Sequence, residues 1–332
     1  MFFLDFTHLR RSVRKVVLIS AFLSISPLFS QENEPLPETK VKPYSLRLKG
    51  EYRSLELVTS DQTAEALVST EYLPNVPAMA GIDLAYQGIG FAVTMKVPGT
   101  GKDTAKYGTS SAQDYLAYYF GHRWGADLYY QKYSGYYAQY PNGKLGATAS
   151  DVRPDIKASY IGGNFYFSLN EGYNIRSGFR HDNLINGFRF GFLIGTSLNY
   201  SSISADRSLL QPIEETKFPQ YAGYRNGEYW NLSLMPGVGL MYSESGRFFA
   251  SLILLVGGGV SQANMTVNAG SDSRVTDNYR GHAKVTLGVN TESFQTGMAF
   301  MSDFTGAGAF NLNTYVIGSN LLALDVFINL RF

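Results

Sequence analysis

The sequence contains no cysteine. Disulfide staples, thiolate metal sites and cysteine nucleophiles are therefore excluded, and so is a lipid anchor on a leader cysteine. Histidine is scarce too. His8, His122, His181 and His282 are the only four. No two stand at metal-ligand spacing, so no metal site and no cofactor is expected. Charge is thin: 17% of residues are charged, against roughly 25% in an ordinary soluble domain. The formal net charge is +1. With no clustered basic face, a nucleic-acid partner is not expected. Long apolar runs are missing after residue 30. The most apolar stretch, "FFASLILLVGGGV" (Phe248–Val260), is short and ends in glycine, so no membrane-crossing helix is expected.

What is abundant is tyrosine, with 24 residues, and glycine, with 34. The N-terminus sets the compartment. Arg10, Arg11, Arg14 and Lys15 precede the apolar run "VVLISAFLSISPLF" and the small Ser30, the layout of a cleaved secretory signal peptide over residues 1–30. The run is short for a membrane anchor, which needs about 20 apolar residues. Residues 31–43, "QENEPLPETKVKP", lack a packing face and read as a disordered periplasmic leader.

From Tyr44 onward the chain alternates with a period of two, and the helical period is nearly absent. Trp230, Leu232, Leu234, Val238, Leu240 and Tyr242 share one face of a strand, opposite Asn231, Ser233, Gly237 and Gly239. The polar faces carry Gly, Ser, Asn and Thr rather than Lys and Glu, as a curved lumen would and a water-exposed sheet would not. Short connections near 87–88, 121–125, 170–172, 243–246 and 291–293 alternate with long ones near 59–77, 98–113, 138–154, 203–227, 263–280 and 304–312. That rhythm predicts an all-β, transmembrane, antiparallel up-and-down β-barrel over residues 44–332, with short periplasmic turns and long outer loops. The count gives about 12 strands, with 10 or 14 as alternatives. Residues 173–187 fit neither strand nor turn cleanly, and read as a bulged strand or an extra pair of strands. The location expected is the outer membrane of a Gram-negative-type bacterium.

The last strand, "LLALDVFINLRF", places Leu322, Leu324, Val326, Ile328, Leu330 and Phe332 on one face. A terminal strand ending on an aromatic looks like the assembly signal of outer-membrane barrels, so Phe332 is the expected contact for a barrel-assembly machinery. "YLPNVPAMAGIDLAYQGIGFAVTMKVP" (Tyr72–Pro98), "FGHRWGADLYYQKYSGYY" and "ASYIGGNFYF" resemble blocks of an uncharacterised family of Bacteroidetes-type outer-membrane proteins, a domain of unknown function. The resemblance covers about Tyr44 to Phe332. It implies a barrel and its location but no activity. "FRHDNLING" departs from the Gln- and Lys-rich family pattern at that point.

Alternation also assigns faces. Arg47, Lys49, Glu51, Arg53, Asp83, Lys96, Asp127, Arg189, Lys284, Asp303, Asp325 and Arg331 are expected in the lumen, as an internal ion-pair network or as the lining of a pore. In "WGADLYYQKYSGYYAQY", Trp124, Tyr130, Lys132 and Tyr136 fall on the lipid face, and Tyr129, Tyr133 and Tyr137 fall inward as candidate solute contacts. From Trp124 to Lys132 the strand climbs about 20 Å, close to the apolar band of about 25 Å. Trp124, Tyr130, Lys132, Tyr136, Trp230 and Tyr242 are thus expected in the membrane-interface girdles, against outer-membrane lipid. "VPGTGKDT" fails as a phosphate loop, because Lys96 stands where the first glycine belongs and Asp103 follows Lys102. "GFRHDNL" partly matches the His-x-Ser-Asn core of outer-membrane phospholipases. The serine position is Asn183, so His181 is a weak catalytic candidate without a nucleophile. The leading function is a small-solute, porin-like channel; the alternative is a structural or surface-interaction barrel with a filled lumen, and a minor alternative is a lipid hydrolase.

Overall fold

A computed structural model describes residues 42–61, 69–139, 151–181, 186–244, 247–308 and 315–332. The expected signal peptide and nearly all of the expected leader lie outside the described residues. Thirteen strands form one sheet: β1 (Tyr44–Asp61), β2 (Ser69–Leu73), β3 (Met79–Tyr86), β4 (Ile89–Lys96), β5 (Ser111–Phe120), β6 (Trp124–Gln139), β7 (Asp151–Ser168), β8 (Gly187–Ser204), β9 (Asn226–Glu244), β10 (Phe248–Val267), β11 (Gly270–Asn290), β12 (Phe294–Ala307) and β13 (Tyr315–Arg331). Every pairing is antiparallel, and β13 pairs with β1 from Ser45↔Arg331 to Asp61↔Tyr315, so the sheet closes into a barrel. Closure removes the two long free edges an open sheet would offer to aggregation. Among the described residues three short α-helices interrupt the strands: α1 (Thr104–Tyr107), α2 (Ile175–Arg180) and α3 (Pro212–Lys217).

The wall does not have one strand number. At the end where Tyr44 and Phe332 meet, here the near end, the ring runs β1–β3–β4–β5–β6 and on to β13, which is 12 strands. Strands β3, β4 and β5 are short. Above them β2 takes their place, pairing with β1 at Leu57↔Tyr72 and with β6 at Leu73↔Tyr137. The far end is therefore closed by β1, β2 and β6 to β13, ten strands.

This narrowing needs β6 to change partners, and Gly135 is where it does so. Its φ of +73° is left-handed, and the β6–β7 register shifts between Ser134 and Tyr136. Pairing jumps there from Ser134↔Lys157 to Tyr136↔Arg153, and the side chains that follow on β6 turn to the opposite face. That corrects two sequence expectations. Tyr136 is 1% exposed and packs in the interior instead of joining the girdle. Tyr137 leaves the inward set. It lies under the loop carrying α1, with Tyr107 edge-on at 4.9 Å and the Lys102 ammonium 3.1 Å from its hydroxyl.

Asn75, in the Tyr72–Asn75 entry motif, ties down the step in the wall. Its amide donates to the Gly108 and Lys102 carbonyls at 2.8 and 3.1 Å and accepts from the Lys102 N–H at 2.8 Å. Lys96 donates to the Asn75 and Ser110 carbonyls at 3.1 and 2.9 Å, and the Ser110 hydroxyl donates to the Gly135 carbonyl at 2.6 Å. Lys96 thus serves the wall and does not line the cavity described below.

Outside, the alternation holds. On β9 the side chains of Trp230, Leu232, Leu234 and Tyr242 are exposed, while Asn231, Ser233, Met235 and Met241 are buried. From Trp230 to Tyr242 the strand climbs about 30 Å. Leu48, Ile82, Leu84, Phe91, Leu128, Ile161, Leu198, Val260, Val326 and Ile328 continue the apolar coat around the wall. Such a contiguous exposed apolar surface is sustained only against lipid. Trp124 packs on Tyr119 at 4.5 Å and on Phe165 at 6.0 Å. Trp230 packs on Tyr200 at 4.9 Å. Both tryptophans stand on the outer wall, 45% and 51% exposed. In bilayers, brominated acyl chains are expected to quench most of the tryptophan emission while aqueous iodide quenches little. The reverse pattern would contradict this orientation.

Two connections differ from the expected rhythm. Between β10 and β11 the long loop foreseen at 263–280 is absent. Both strands continue, paired through Val267↔Gly270, into a far-end hairpin. Between β7 and β8 a short near-end turn was expected, but the described residues 169–181 form an insertion that carries α2. It is neither a bulge nor a strand pair, and it enters the barrel.

Candidate functional site

The insertion is shaped to plug the near mouth. Asn174 caps α2, its side-chain oxygen accepting from the Ser177 N–H at 3.1 Å. His181 ends the helix in the left-handed region, at φ +58°. Tyr173, Ile175 and Phe179 are buried against Phe120, Tyr166, Leu193 and Met241 on the inner wall. A side chain on the inner wall at Gly191 or Gly239 would collide with the Tyr173 ring. The glycines of the inner face therefore make the room the plug occupies.

Polar contacts then fix the plug. Arg180 forms a buried ion pair with Asp83, which also accepts from the Tyr118 hydroxyl at 2.7 Å. The guanidinium lies 4.8 Å from the centre of the Tyr118 ring. The carbonyls at the C-terminal end of α2 have no partners within the helix. Wall side chains supply them: Lys284 donates to the Phe179 carbonyl at 2.9 Å, Arg47 to Arg180 at 3.2 Å, and Asn290 to His181 at 2.7 Å. Gln295 and Arg331 add bonds to the same carbonyls.

Packing at the far mouth has different chemistry. The connection between β8 and β9, residues 205–225, turns its apolar side chains inward. Leu209, Leu210, Phe218, Tyr221 and Tyr224 pack on Tyr72, Tyr133, Tyr160 and Tyr229. The Tyr72 hydroxyl donates to the Leu209 carbonyl at 2.6 Å, and Arg153 donates to the Arg207 and Ser208 carbonyls at 2.9 and 3.0 Å. The buried Glu214 accepts from the Gln211 N–H at 2.7 Å and from the Thr70 hydroxyl at 3.3 Å.

Between plug and lid lies a cavity of about 180 Å³. Its walls carry both signs of charge. Arg53 bridges Glu51 and Asp114 at 3.4 and 3.0 Å, and Lys49 reaches Glu51 at 3.2 Å. Arg280 and His282 share Asp303 at 3.0 and 3.3 Å. Asp127 takes neutral donors, Asn164 at 2.8 Å and Tyr166 at 2.9 Å. Buried charges are tolerated only when paired and hydrogen-bonded in this way.

The residues predicted for the lumen fall into three groups. Arg47, Lys49, Arg53, Asp83, Asp127, Tyr129, Lys284, Asp303 and Asp325 line the cavity, and Glu51 and Tyr133 pack behind it in the interior. Arg331 lies beneath the plug, bonded to Asn290 and the His181 carbonyl. Arg189 stays at the near rim, bonded to the Phe188 carbonyl, and Lys96 serves the step in the wall. Of the girdle residues, Trp124, Tyr130, Lys132, Trp230 and Tyr242 are exposed on the outer wall, and Tyr136 is not. Phe332 is exposed beside Tyr44, their rings stacked at 6.1 Å.

Sequence reasoning missed Asp114, Arg180 and Arg280. Arg280 sits in the inward register of β11 together with His282 and Lys284, and continuing that alternation past residue 281 finds it. Asp114 lies on β5, whose tyrosine-rich alternation hides its inner face. Arg180 sits on a helix folded into the barrel, and no periodicity of the wall reports it.

His181, the weak catalytic candidate, does have a serine. Its Nε2 lies 2.7 Å from the Ser251 hydroxyl. Ser251 also donates to the Gly178 carbonyl at 3.4 Å, both groups are buried, and the imidazole stacks on Phe249 at 4.3 Å. Burial and the cations Lys284, Arg47, Arg180 and Arg331 hold the proton affinity of His181 well below its ordinary value. An imidazole in that setting is a poor acceptor for a serine proton. Asp182 and Asn183 lie outside the described residues. Among the described residues no group of three His, Asp or Glu side chains is placed to hold a metal ion.

Residues 42–322 match the family described as Domain of unknown function (DUF4421). No curated protein matches the sequence. Among solved structures, the chain is similar to the outer-membrane protease OmpT from Escherichia coli, at 14% identity and a TM-score of 0.39 over 90% of this chain and 99% of that one. It is similar to the translocator domain of the autotransporter NalP from Neisseria meningitidis, at 10% identity and 0.36 over 97% and 98%. Ail, the attachment invasion locus protein of Yersinia pestis, matches at 13% identity and 0.27 over 63% and 98%.

Proposed function

The chain belongs to the DUF4421 family, whose function is unknown, and from its own residues we propose that it is an outer-membrane β-barrel held shut, a membrane-embedded scaffold that works through its surface. The observation that carries this reading is the double closure. The near mouth holds a helix fixed by a buried ion pair and five wall side chains, and the far mouth holds a lid of buried Leu, Phe and Tyr. Twelve strands leave more room than the eight that side chains alone fill. This chain fills the excess with its own backbone.

A second reading is a gated small-solute passage, supported by the cavity of about 180 Å³ and its charged lining. Conductance separates the two. In planar bilayers the wild-type protein is expected to be silent. A variant in which short Gly-Ser turns replace residues 173–186 and 208–221 is expected to show steady conductance steps. Wild-type steps in plain salt would overturn the closed-barrel reading. Wild-type steps that appear only when a particular solute is added would favour the gated passage.

A further inference from the structure

Among the described residues two lysines stand together on the outer wall at the far end. Lys132 on β6 and Lys157 on β7 are exposed. In the β6–β7 register Lys132 faces Ser159 and Ser134 faces Lys157, so the two lysines are diagonal neighbours on the same outer face. Such neighbours stand about 7–8 Å apart, a spacing a phosphate group can bridge. Neither lysine has an ion-pair partner among the described residues. Lys106, on the loop above them, lies over the Tyr107 ring at 5.2 Å. The carboxylates nearest on β7 already hold cations, Asp151 with Arg207 at 3.0 Å and Asp155 with Arg153 at 2.8 Å, and Glu228 is exposed on β9.

The wall directly below this basic pair is the right surface for acyl chains. One step nearer the membrane centre on β5 and β6, Tyr115 and Tyr130 face each other, rings stacked at 6.1 Å. Beneath them the wall is apolar, with Leu128 65%, Ile161 55% and Leu198 54% exposed. Basic heads, an aromatic shelf and an apolar slope thus follow one another down a single face. Interfacial aromatics settle at headgroup level, and lysines at a membrane surface attract anionic headgroups.

We infer that the outer wall of β6 and β7 at the far end is a binding site for a lipid with a phosphorylated, negatively charged headgroup. The phosphate sits between Lys132 and Lys157, and the acyl chains lie on Leu128, Ile161 and Leu198. This inference rests on the barrel spanning a membrane, so the test keeps the two apart. Folding and insertion are read first, from heat-modifiable electrophoretic mobility and from tryptophan quenching by brominated lipid. Retention of phosphatidylglycerol against phosphatidylcholine is then measured by native mass spectrometry on the wild type, on Lys132→Gln/Lys157→Gln and on Glu228→Gln. The wild type and Glu228→Gln are expected to retain phosphatidylglycerol preferentially. The double lysine variant is expected to bind it roughly 30-fold more weakly while folding and inserting normally. An inserted wild type that retains both lipids equally, or a double variant that keeps the preference, would overturn the site. A wild type that does not insert would overturn the membrane reading itself.

Discussion

Replacing Arg180 with alanine is expected to release the near-end plug. The Arg180–Asp83 pair is buried on both sides. Removing the arginine leaves the Asp83 carboxylate in the interior with only the Tyr118 hydroxyl and the field of Arg47 for support. Breaking one side of a buried pair costs about 3–5 kcal/mol. Most of that cost falls on the plugged state, because an opened plug would let water reach Asp83. The absence of cysteine makes the measurement clean. Thr286 lines the cavity, so Thr286→Cys supplies a single thiol inside the barrel. Its reaction with a small maleimide is expected to be slow in the wild-type background and roughly 100-fold faster with Arg180→Ala. Arg180→Met combined with Asp83→Asn removes both charges and keeps the bond to Tyr118. That pair is expected to restore most of the protection. Equal labelling rates in all three backgrounds would show that the ion pair does not hold the plug.

The second large effect is expected at Gly135. Alanine there would have to adopt a φ of +73° with its Cβ pressed into the Thr109 carbonyl. The left-handed conformation costs about 1–2 kcal/mol, and backbone on the far side of the contact gives way poorly. A total loss of roughly 3 kcal/mol is expected for Gly135→Ala, against less than 1 kcal/mol for alanine at Gly50, where the added Cβ meets nothing. Urea unfolding in lipid vesicles would read the difference. The damage should be local to the far end. The bulge passes β6 from β5 to β2, so loss of register there frees β2 and exposes Tyr133 and Tyr136 first. Proteolysis of folded Gly135→Ala near residues 69–78 would report that opening. Identical behaviour of the two alanine variants would show that the bulge is dispensable.

Much of the wall was legible in the chain itself. Period-two alternation of Trp230 to Tyr242, or of Leu322 to Phe332, reflects the one requirement that a strand between lipid and a lumen must satisfy. That requirement is local, so it is written residue by residue. It placed Arg47, Lys49 and Arg53 inside and Trp124 and Trp230 outside, and it gave a ring of 12 strands. It failed where a backbone event overrides parity. A single left-handed glycine sent Tyr136 inward, and nothing in "YSGYY" distinguishes a bulged Gly-Tyr from a regular one.

What occupies the lumen could not be read in the same way. The plug and the lid are connections, and a connection's sequence shows that it is not a strand without showing whether it folds outward or inward. The inward choice depends on partners far along the chain. Asp83 is needed for Arg180, Lys284 for the Phe179 carbonyl, and Gly191 and Gly239 for the Tyr173 ring. The sequence alone determined a membrane barrel with a polar, glycine-rich interior, because alternation and turn rhythm act between near neighbours. Only the tertiary structure decided that a helix and an apolar loop fold into this interior, because that choice is set by side chains that meet only when the ring has formed.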